Sequence, residues 1–499
     1  MGIIIRQSLK STIISYAGVA LGALNTLILF PRFFEPEQFG LTRVLLSVAT
    51  VLAVFAEFGG TNVINKYFPI FREERGTLKN FVFWILLKAL AAYAIVGFIF
   101  YVFKDSILHG YVKNQSDLVI DFYGYIFPLT LFVLIFNLLE AYARSLLRIV
   151  FPTLLREVYL RVFLLAIMLL FHFDVISFEL FMILFAASYA SAMIVLAGYI
   201  AWLDRNFIEV NLAFVRHKMV KEVFIYGMYS ILTVAVWKIV TQLDVIMLSY
   251  MDTLGNVAVY SIAFYIVTLI MLPQRFLHQM ATPIVSNAIQ QNRWDEVRML
   301  YQRVALNQFA IGMFLSIGIG VNMDNLYHFL PEKYHVISGV VLVLIIGRLF
   351  DMATSINGEI ILYSKFFRFN LFAGIGLFAM CIVTNYLFIP KYGILGAAIG
   401  TSISLTIFNV LRTSFVYFKF GFLPFGSGMI KALIIGFATL AVALVIPDMP
   451  NVYLNILIKS GVVVALFPAL IYSLKVSDDI NQFFLKAVEK AKVQFGSRN

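Results

Sequence analysis

Long apolar segments alternate with short polar segments along almost the whole chain, from Ile3 to Leu474. A helix needs about 20 predominantly apolar residues to cross the hydrocarbon core of a bilayer. About fourteen segments reach that length, so the pattern predicts an all-α integral membrane protein with almost no extramembrane domain. The predicted spans are residues 9–31, 40–65, 79–103, 119–143, 152–173, 178–203, 226–250, 256–284, 304–322, 336–362, 367–389, 393–418, 429–447 and 453–474.

The positive residues between these spans fall mainly on alternate sides of the predicted membrane. Lys and Arg in short loops are retained on the cytoplasmic side. One set of loops, together with both chain ends, holds most of the cations, whereas the opposite set holds Arg32, Arg43, Lys104, Lys113, Lys333 and Lys391. We therefore expect a multi-pass protein with both termini in the cytoplasm.

Composition narrows the class of function. The chain is 61% hydrophobic and 13% charged, and its formal charge of +11 is spread over short loops, which argues against nucleic acid as a partner. The single cysteine, Cys381, excludes an intramolecular disulfide, and no Walker motif or HExxH metal motif is present. The short loops leave no room for an extramembrane catalytic domain. We expect no enzyme activity and no cofactor.

The chain divides into segments that suggest an internal repeat. Residues 1–203 are predicted to form an N-terminal lobe of six helices, residues 204–225 a cytoplasmic amphipathic linker, and residues 226–418 a second lobe of six helices. Two further helices at 419–474 and a cytoplasmic tail at 475–499 complete the layout. Repeats with an even number of helices run parallel, so two pseudo-symmetric lobes are expected to face each other across a central cavity.

Three segments carry a resemblance to a known family: FEPEQFGLTRVLLS at 34–47, QLDVIMLSYMDTLGNVAVYSIAFYI at 242–266 and NYLFIPKYGILGAAIGTSIS at 385–404. They resemble the bacterial polysaccharide and O-antigen flippases of the multidrug, oligosaccharidyl-lipid and polysaccharide exporter superfamily. The resemblance implies an alternating-access carrier that moves an undecaprenyl-pyrophosphate-linked oligosaccharide across the bacterial inner membrane. Its cargo would feed the synthesis of lipopolysaccharide or another surface polysaccharide, and a polymerase in the same membrane would be a natural partner. We expect a monomer in contact with membrane lipids.

An anionic cargo that crosses a low-dielectric core calls for cations within the lobes. Charged residues at the centre of a membrane helix are costly unless they face water or a partner. The five candidates for a cationic binding cavity are Lys88, Arg161, Lys238, Arg275 and Arg348, of which Lys238 and Arg348 lie deepest in their predicted spans. For Lys238, which has no carboxylate one turn away, we expect a cavity-lining role.

Three of the other cations have a structural alternative. Arg161 lies one helical turn from Glu157, and Arg348 lies three residues before Asp351, so both are placed for local ion pairs. Lys88 is near enough to a predicted helix end for its long side chain to reach the interface.

The acidic candidates are assigned to coupling or to contacts between lobes. A shift of 218 residues aligns Glu57 with Arg275, which would allow an ion pair across the cavity in one state. The nearby shift of 219 aligns Glu140 with Glu359. Asp244 is a candidate for binding a coupling ion, Na⁺ or H⁺, or for pairing with a cation on a neighbouring helix. Asp351 completes this set.

Three further functions remain open at this point. A cation-coupled drug exporter of the same superfamily would be expected to place carboxylates in its cavity, whereas a flippase for a lipid II-type precursor would need the same cations as a polysaccharide flippase. A membrane-embedded glycan-modifying enzyme is the third class. The sequence does not identify the sugar.

Overall fold

The computed structural model describes residues 3–72, 75–113, 117–204 and 219–482, and within them the chain forms helices and no strands. Eleven of the described helices are long and apolar enough to cross a membrane. Both findings confirm the prediction of an all-α, multi-pass membrane protein. The count of fourteen spans stays a prediction.

The described residues of the first half of the chain form eleven α-helices and two π-helical turns. The helices are α1 (Ile3–Ala23), α2 (Phe30–Phe33), α3 (Pro36–Glu57), α4 (Gly60–Arg72), α5 (Arg75–Val102), α6 (Lys104–Lys113), α7 (Asp117–Phe122), α8 (Ile126–Ser145), α9 (Val150–Leu154), α10 (Leu160–His172) and α11 (Phe178–Leu203). The π-helical turns, Leu24–Leu29 and Leu155–Tyr159, join α1 to α2 and α9 to α10. A 3₁₀ turn at Tyr123–Tyr125 joins α7 to α8.

Between residues 219 and 482, the part of the second half that the structure describes, the chain forms nine α-helices. They are α12 (Val220–Met251), α13 (Leu254–Gln290), α14 (Trp294–Gly320), α15 (Met323–Tyr327), α16 (Ile337–Thr354), α17 (Asn357–Tyr363), α18 (Arg368–Phe420), α19 (Ser427–Val445) and α20 (Val452–Ser473). A 3₁₀ turn at Glu332–Tyr334 precedes α16.

The 53-residue helix α18 is broken at Gly393. Pro390 removes one backbone hydrogen bond, and Gly393 adopts φ 54° and ψ −130°, a conformation that residues with a Cβ rarely adopt. The break lies where the sequence predicts that one span ends at 389 and the next begins at 393.

Contacts divide the chain into two compact units. The first comprises Met1–Ile262 with Asn385–Ile394, and the second comprises Ala263–Thr384 with Leu395–Asn499. Within the first unit α3 packs against α5, α8 and α12, and α8 packs against α11. Within the second unit α14 packs against α16, α19 and α20.

The predicted domain layout is not tested by this division, so the lobes at 1–203 and 226–418 and the helices at 419–474 remain predictions. Most of the predicted amphipathic linker, at residues 205–218, lies outside the described residues. So does the predicted cytoplasmic tail beyond residue 482.

The ends of α3 position one of the candidate residues. Glu35 caps the start of the helix in a reciprocal arrangement with Gln38, and Pro36 occupies the first turn, where its missing N–H costs nothing. The helix ends where Phe58 adopts a left-handed conformation with φ 49° and Gly59 follows with φ 68°. This turn leads directly into α4 and leaves Glu57 at the junction of the two helices.

Candidate functional site

The first unit encloses a cavity of about 300 Å³ among α3, α8, α10, α11, α12 and the π-helical turn Leu155–Tyr159. We call it the first-unit cavity. Its lining residues are Leu46, Thr50, Val133, Phe136, Asn137, Arg156, Leu160, Tyr189, Ala192, Lys238, Thr241 and Gln242. The charged residues of this lining are Arg156 and Lys238, and both are positive.

Lys238 reaches the cavity from α12. Its Nζ lies 3.8 Å from the Glu57 Oε2, and its side chain is 40% exposed, whereas that of Glu57 is 6% exposed. Gln242, one turn further along α12, accepts a hydrogen bond from the Ser47 hydroxyl of α3 at 2.9 Å. The lysine therefore has a buried carboxylate behind it and remains open toward the cavity.

The Glu57 carboxylate has two further neighbours. Its Oε1 accepts a hydrogen bond from the backbone N–H of Thr61 at 2.9 Å, in the first turn of α4, where the helix dipole favours a negative charge. Lys88 on α5 donates to the Phe58 carbonyl at 3.1 Å and lies close enough to attract Glu57. Two lysines thus share one carboxylate. Lys88 points to the α3–α4 junction, although the sequence also allowed it to reach the interface.

Glu140 is the centre of a second group in which two cations surround one carboxylate. The carboxylate forms ion pairs with Arg144 on its own helix and with Arg156. Arg156 also donates to the Asn137 Oδ1 at 2.8 Å, and its guanidinium lies over the Phe136 ring at 5.0 Å. Glu140 is 7% exposed and the two arginines are 48% and 42% exposed, so the positive ends stay accessible. Here too, two cations share one carboxylate.

Arg161 is engaged locally. Its Nη1 lies 2.6 Å from the Glu157 Oε2 and donates to the Glu157 carbonyl at 2.7 Å. This is the pair that the sequence spacing favours. Arg156, in contrast, is not among the five cationic candidates that the sequence indicates. The π-helical turn places it on the cavity wall, and the periodicity of the sequence carries no signal for such a turn.

Asp244 forms a buried tie between three helices of the first unit. Its Oδ2 accepts a hydrogen bond from the Tyr260 hydroxyl at 2.5 Å, and its Oδ1 accepts one from the Asn385 Nδ2 at 2.9 Å. The residue is 5% exposed. These bonds connect α12, α13 and α18. The proposed role of Asp244 in ion coupling stays a prediction.

The second unit contains a polar cluster on α13, α14, α16, α17 and α18. We call it the second-unit cluster and define it as Gln274, His278, Gln308, Asp351, Glu359, Asn409 and Arg412. Asp351 accepts hydrogen bonds from the Gln274 Nε2 at 3.1 Å and from the Asn409 Nδ2 at 2.9 Å. The His278 Nδ1 lies 2.7 Å from the Glu359 Oε1.

The two remaining cationic candidates lie in the second unit, outside this cluster. The Arg348 guanidinium lies over the Phe264 ring at 5.9 Å, while Asp351, its predicted local partner, accepts the amide hydrogen bonds just described. Arg275 is exposed. A role for either cation in cargo binding, and the Glu57–Arg275 pair, stay predictions.

The sequence and the structure can now be compared with those of known proteins. The sequence model of the family described as "Polysaccharide biosynthesis protein" matches residues 5–288. An uncharacterized membrane protein of Methanocaldococcus jannaschii, MJ1068, is 24% identical over 494 residues, covering 93% of this chain and 94% of that protein.

Solved structures share the fold at low sequence identity. The lipid II flippase MurJ in an inward closed conformation has a TM-score of 0.73 and 15% identity, covering 92% of this chain and 97% of MurJ. A multidrug resistance MATE family transporter of the MOP superfamily, in an inward-facing conformation, has a TM-score of 0.63 and 14% identity, covering 83% and 94%. These likenesses show that the chain shares its fold with both structures.

Proposed function

Because the chain belongs to the polysaccharide biosynthesis protein family, we propose that it is a flippase that moves an undecaprenyl-pyrophosphate-linked oligosaccharide across the bacterial inner membrane. The cargo would supply the synthesis of lipopolysaccharide, O-antigen or a related surface polysaccharide. We further propose that both termini are cytoplasmic, that the protein acts as a monomer, and that a polymerase in the same membrane receives the cargo.

The observation that carries the proposal is the excess of positive charge at the first-unit cavity. Lys238 and Lys88 accompany Glu57, and Arg156 and Arg144 accompany Glu140, so each group has one more cation than carboxylates. A pyrophosphate carries negative charge that a low-dielectric environment does not solvate. Cations on the wall replace its hydration, and arginine adds a planar set of donors that suits phosphate oxygens.

In this proposal, different parts of the cargo have different surroundings. The pyrophosphate would bind between Arg156 and Lys238, and the first sugars would contact the neighbouring polar groups of Asn137, Thr241 and Gln242. The polyprenyl chain would stay in the lipid. Two lobes that rock about the cargo would then expose the cavity to the opposite side of the membrane.

The membrane potential favours this direction of transport. An inside-negative potential contributes roughly 2.3 kcal/mol per elementary charge per 100 mV when negative charge moves outward. The cations of the cavity wall stay with the protein, so they do not change the free energy gained by moving the cargo. Part of the driving force therefore comes from the cargo itself.

Two other kinds of cargo must be distinguished from the undecaprenyl-pyrophosphate-linked oligosaccharide. A cationic drug would be repelled by Arg156 and Lys238, so the lining disfavours a drug exporter. A lipid II-type precursor offers the same anionic headgroup and would be attracted in the same way. Only the chemical identity of the accumulated precursor distinguishes the two flippases.

The direct test is genetic. Deletion of the gene in its host should cause lipid-linked oligosaccharide to accumulate on the cytoplasmic side and should reduce the surface polysaccharide. We expect wild type to restore the polymer and the double variant Arg156→Gln, Lys238→Gln to fail at equal protein amount. The matched control is Lys431→Gln, which removes an exposed cation at the start of α19 and should complement fully.

The outcome can contradict the proposal in two ways. Accumulation of a peptide-bearing precursor would assign the protein to lipid II-type transport. Unchanged glycans together with altered drug sensitivity would assign it to drug export.

A further inference from the structure

The second-unit cluster contains a histidine with two different surroundings. The His278 Nδ1 lies 2.7 Å from the Glu359 Oε1. Its Nε2 is buried and has no hydrogen-bond partner among the described residues. The side chains of His278 and Glu359 are 25% and 22% exposed, so the pair is largely shielded from solvent. One nitrogen is therefore fixed by a carboxylate and the other awaits a partner.

Gln308 on α14 also lies next to the imidazole. This residue is 0% exposed and its amide is near enough to His278 to interact with it, although neither amide atom forms a hydrogen bond of good geometry with a described residue. A buried amide without partners is costly. A neutral imidazole can accept from the amide nitrogen, and a protonated imidazole can donate to the amide oxygen. Rotation of one side chain thus suits both protonation states.

The charges around His278 favour the protonated state. Asp351 on α16 and Glu359 on α17 are the carboxylates of the cluster, and Arg412 on α18 is its permanent cation. With a neutral imidazole the cluster carries one net negative charge, which a proton on His278 cancels. Tyr301 on α14 also faces Arg412 and adds no charge at neutral pH.

Arg412 does not neutralise the cluster alone. Its guanidinium lies over the Phe408 ring at 4.1 Å, and its Nε has no hydrogen-bond partner among the described residues. Gly358 lets the arginine approach α17, since a Cβ there would lie 2.8 Å from the Arg412 Nη1. The carboxylate excess remains, and a buried uncompensated charge is strongly unfavourable.

The backbone between the two carboxylates is strained. Ser355, between α16 and α17, has φ 49° and ψ −125°, a region that is essentially restricted to glycine. The residue is buried, and its hydroxyl has no hydrogen-bond partner among the described residues. The break directs α17, and with it Glu359, away from the course of α16. A change in the charge of Glu359 would therefore be felt by the strained backbone at Ser355.

From these observations we propose that the second-unit cluster is a proton-binding site in which His278 takes up the proton between Glu359 and Gln308. The consequence for transport rests on the proposed function: release of this proton in one conformation and its uptake in the other would couple proton movement to the movement of the cargo. Proton binding itself needs no cargo. A sodium ion is the competing ligand, since it would cancel the same charge.

The test is a proton titration of the full-length protein in detergent, followed by NMR of histidine labelled with ¹³C at Cε1. His278→Gln identifies the His278 signal among those of the six histidines. We expect Glu359→Gln, which keeps the shape and removes the charge, to weaken proton binding at His278 by about tenfold. Gln308→Leu should weaken it by a smaller factor. The matched control, Glu296→Gln, removes a carboxylate that pairs with Arg293 and should leave the titration unchanged.

The titration can overturn the proposal without reference to cargo. The proposal is wrong if Glu359→Gln and Gln308→Leu leave the His278 titration unchanged, or if His278 titrates like the exposed His328. In vesicles that carry the cargo, an imposed pH gradient should accelerate flipping by wild type and not by His278→Gln. If the wild-type protein does not flip the cargo at all, the proposed function is wrong, whereas the proposed proton site is still tested by the titration.

Discussion

The first-unit cavity and the second-unit cluster carry opposite excesses of charge. Around the cavity four cations accompany two carboxylates, namely Lys88, Arg144, Arg156 and Lys238 with Glu57 and Glu140. In the second-unit cluster two carboxylates, Asp351 and Glu359, accompany one permanent cation, Arg412. Neither region is neutral by itself, so each favours a ligand of opposite charge.

The difference indicates what each region is suited to bind. The cations at the cavity have side chains that remain about 40% exposed, and so they are open to a large anionic ligand. In the second-unit cluster, each carboxylate oxygen of Asp351 already accepts a hydrogen bond, one from Gln274 and one from Asn409. The His278 Nε2 is left without a hydrogen-bond partner among the described residues, and it can bind a proton. An anionic cargo and a proton would thus be bound in different units of the molecule.

Reversing one charge of the cavity should have the largest effect. Lys238→Glu places a carboxylate near Glu57 and on the cavity wall. Like charges about 4 Å apart repel by roughly 4 kcal/mol at an effective dielectric constant of 20, and the partial exposure of this site reduces that figure. We expect flipping in reconstituted vesicles to fall about 100-fold, a value that also reflects lost attraction for the cargo.

A charge swap separates the two contributions. Glu57→Lys combined with Lys238→Glu restores an ion pair at the α3–α12 contact but leaves a carboxylate facing the cavity. We expect the double variant to recover only part of the thermal stability that Lys238→Glu loses, because a lysine at position 57 lies near Lys88 and cannot accept from the Thr61 N–H, and we expect no recovery of the flipping rate. Full recovery of flipping would mean that Lys238 serves only to pair with Glu57.

Neutralising Asp351 should have an intermediate effect. In Asp351→Asn, one hydrogen-bond donor of the new amide faces the amide donor of Gln274 or Asn409. A buried donor left without an acceptor costs about 1 to 3 kcal/mol, so the melting temperature in detergent should fall. The same change removes the carboxylate excess and should weaken proton binding at His278. Asp324→Asn, at an exposed position, is the matched control and should change neither quantity.

The sequence predicted the features that depend on local spacing. The helical class follows from the apolar segments, and the family model confirms the membership that three short segments suggested. The pair Arg161–Glu157 follows from a four-residue spacing on one helix. Lys238 stands out because it lies in the middle of an apolar segment without a nearby acid. Such features need no knowledge of which helices pack together.

Features that depend on long-range contacts could not be predicted from the sequence. Asp244 and its partner Asn385 are 141 residues apart. The role of Arg156 depends on a π-helical turn and on Glu140 from another helix, and nothing in the periodicity separates it from a loop cation. Gln308 resembles any polar residue in a helix until its unpartnered amide is seen beside His278. A single sequence carries no signal for side chains that come into contact only through tertiary packing.

An ion pair that belongs to neither region should show the smallest effect. Asp448, in the loop between α19 and α20, accepts hydrogen bonds from the Lys459 Nζ at 2.6 Å and the Asn455 Nδ2 at 3.0 Å, which lower the pKa of this carboxyl. Because the folded-state pKa lies below the unfolded value of about 3.9, the stabilisation is present above that value and is lost as pH falls through the folded pKa. Asp448→Asn should therefore lower the melting temperature slightly at neutral pH and flatten its dependence on pH below about 4. The flipping rate per folded molecule should not change, since the pair contributes no charge to the first-unit cavity or the second-unit cluster. A large loss of flipping in this variant would show that charge outside the two regions also controls transport, and the comparison between them would then be incomplete.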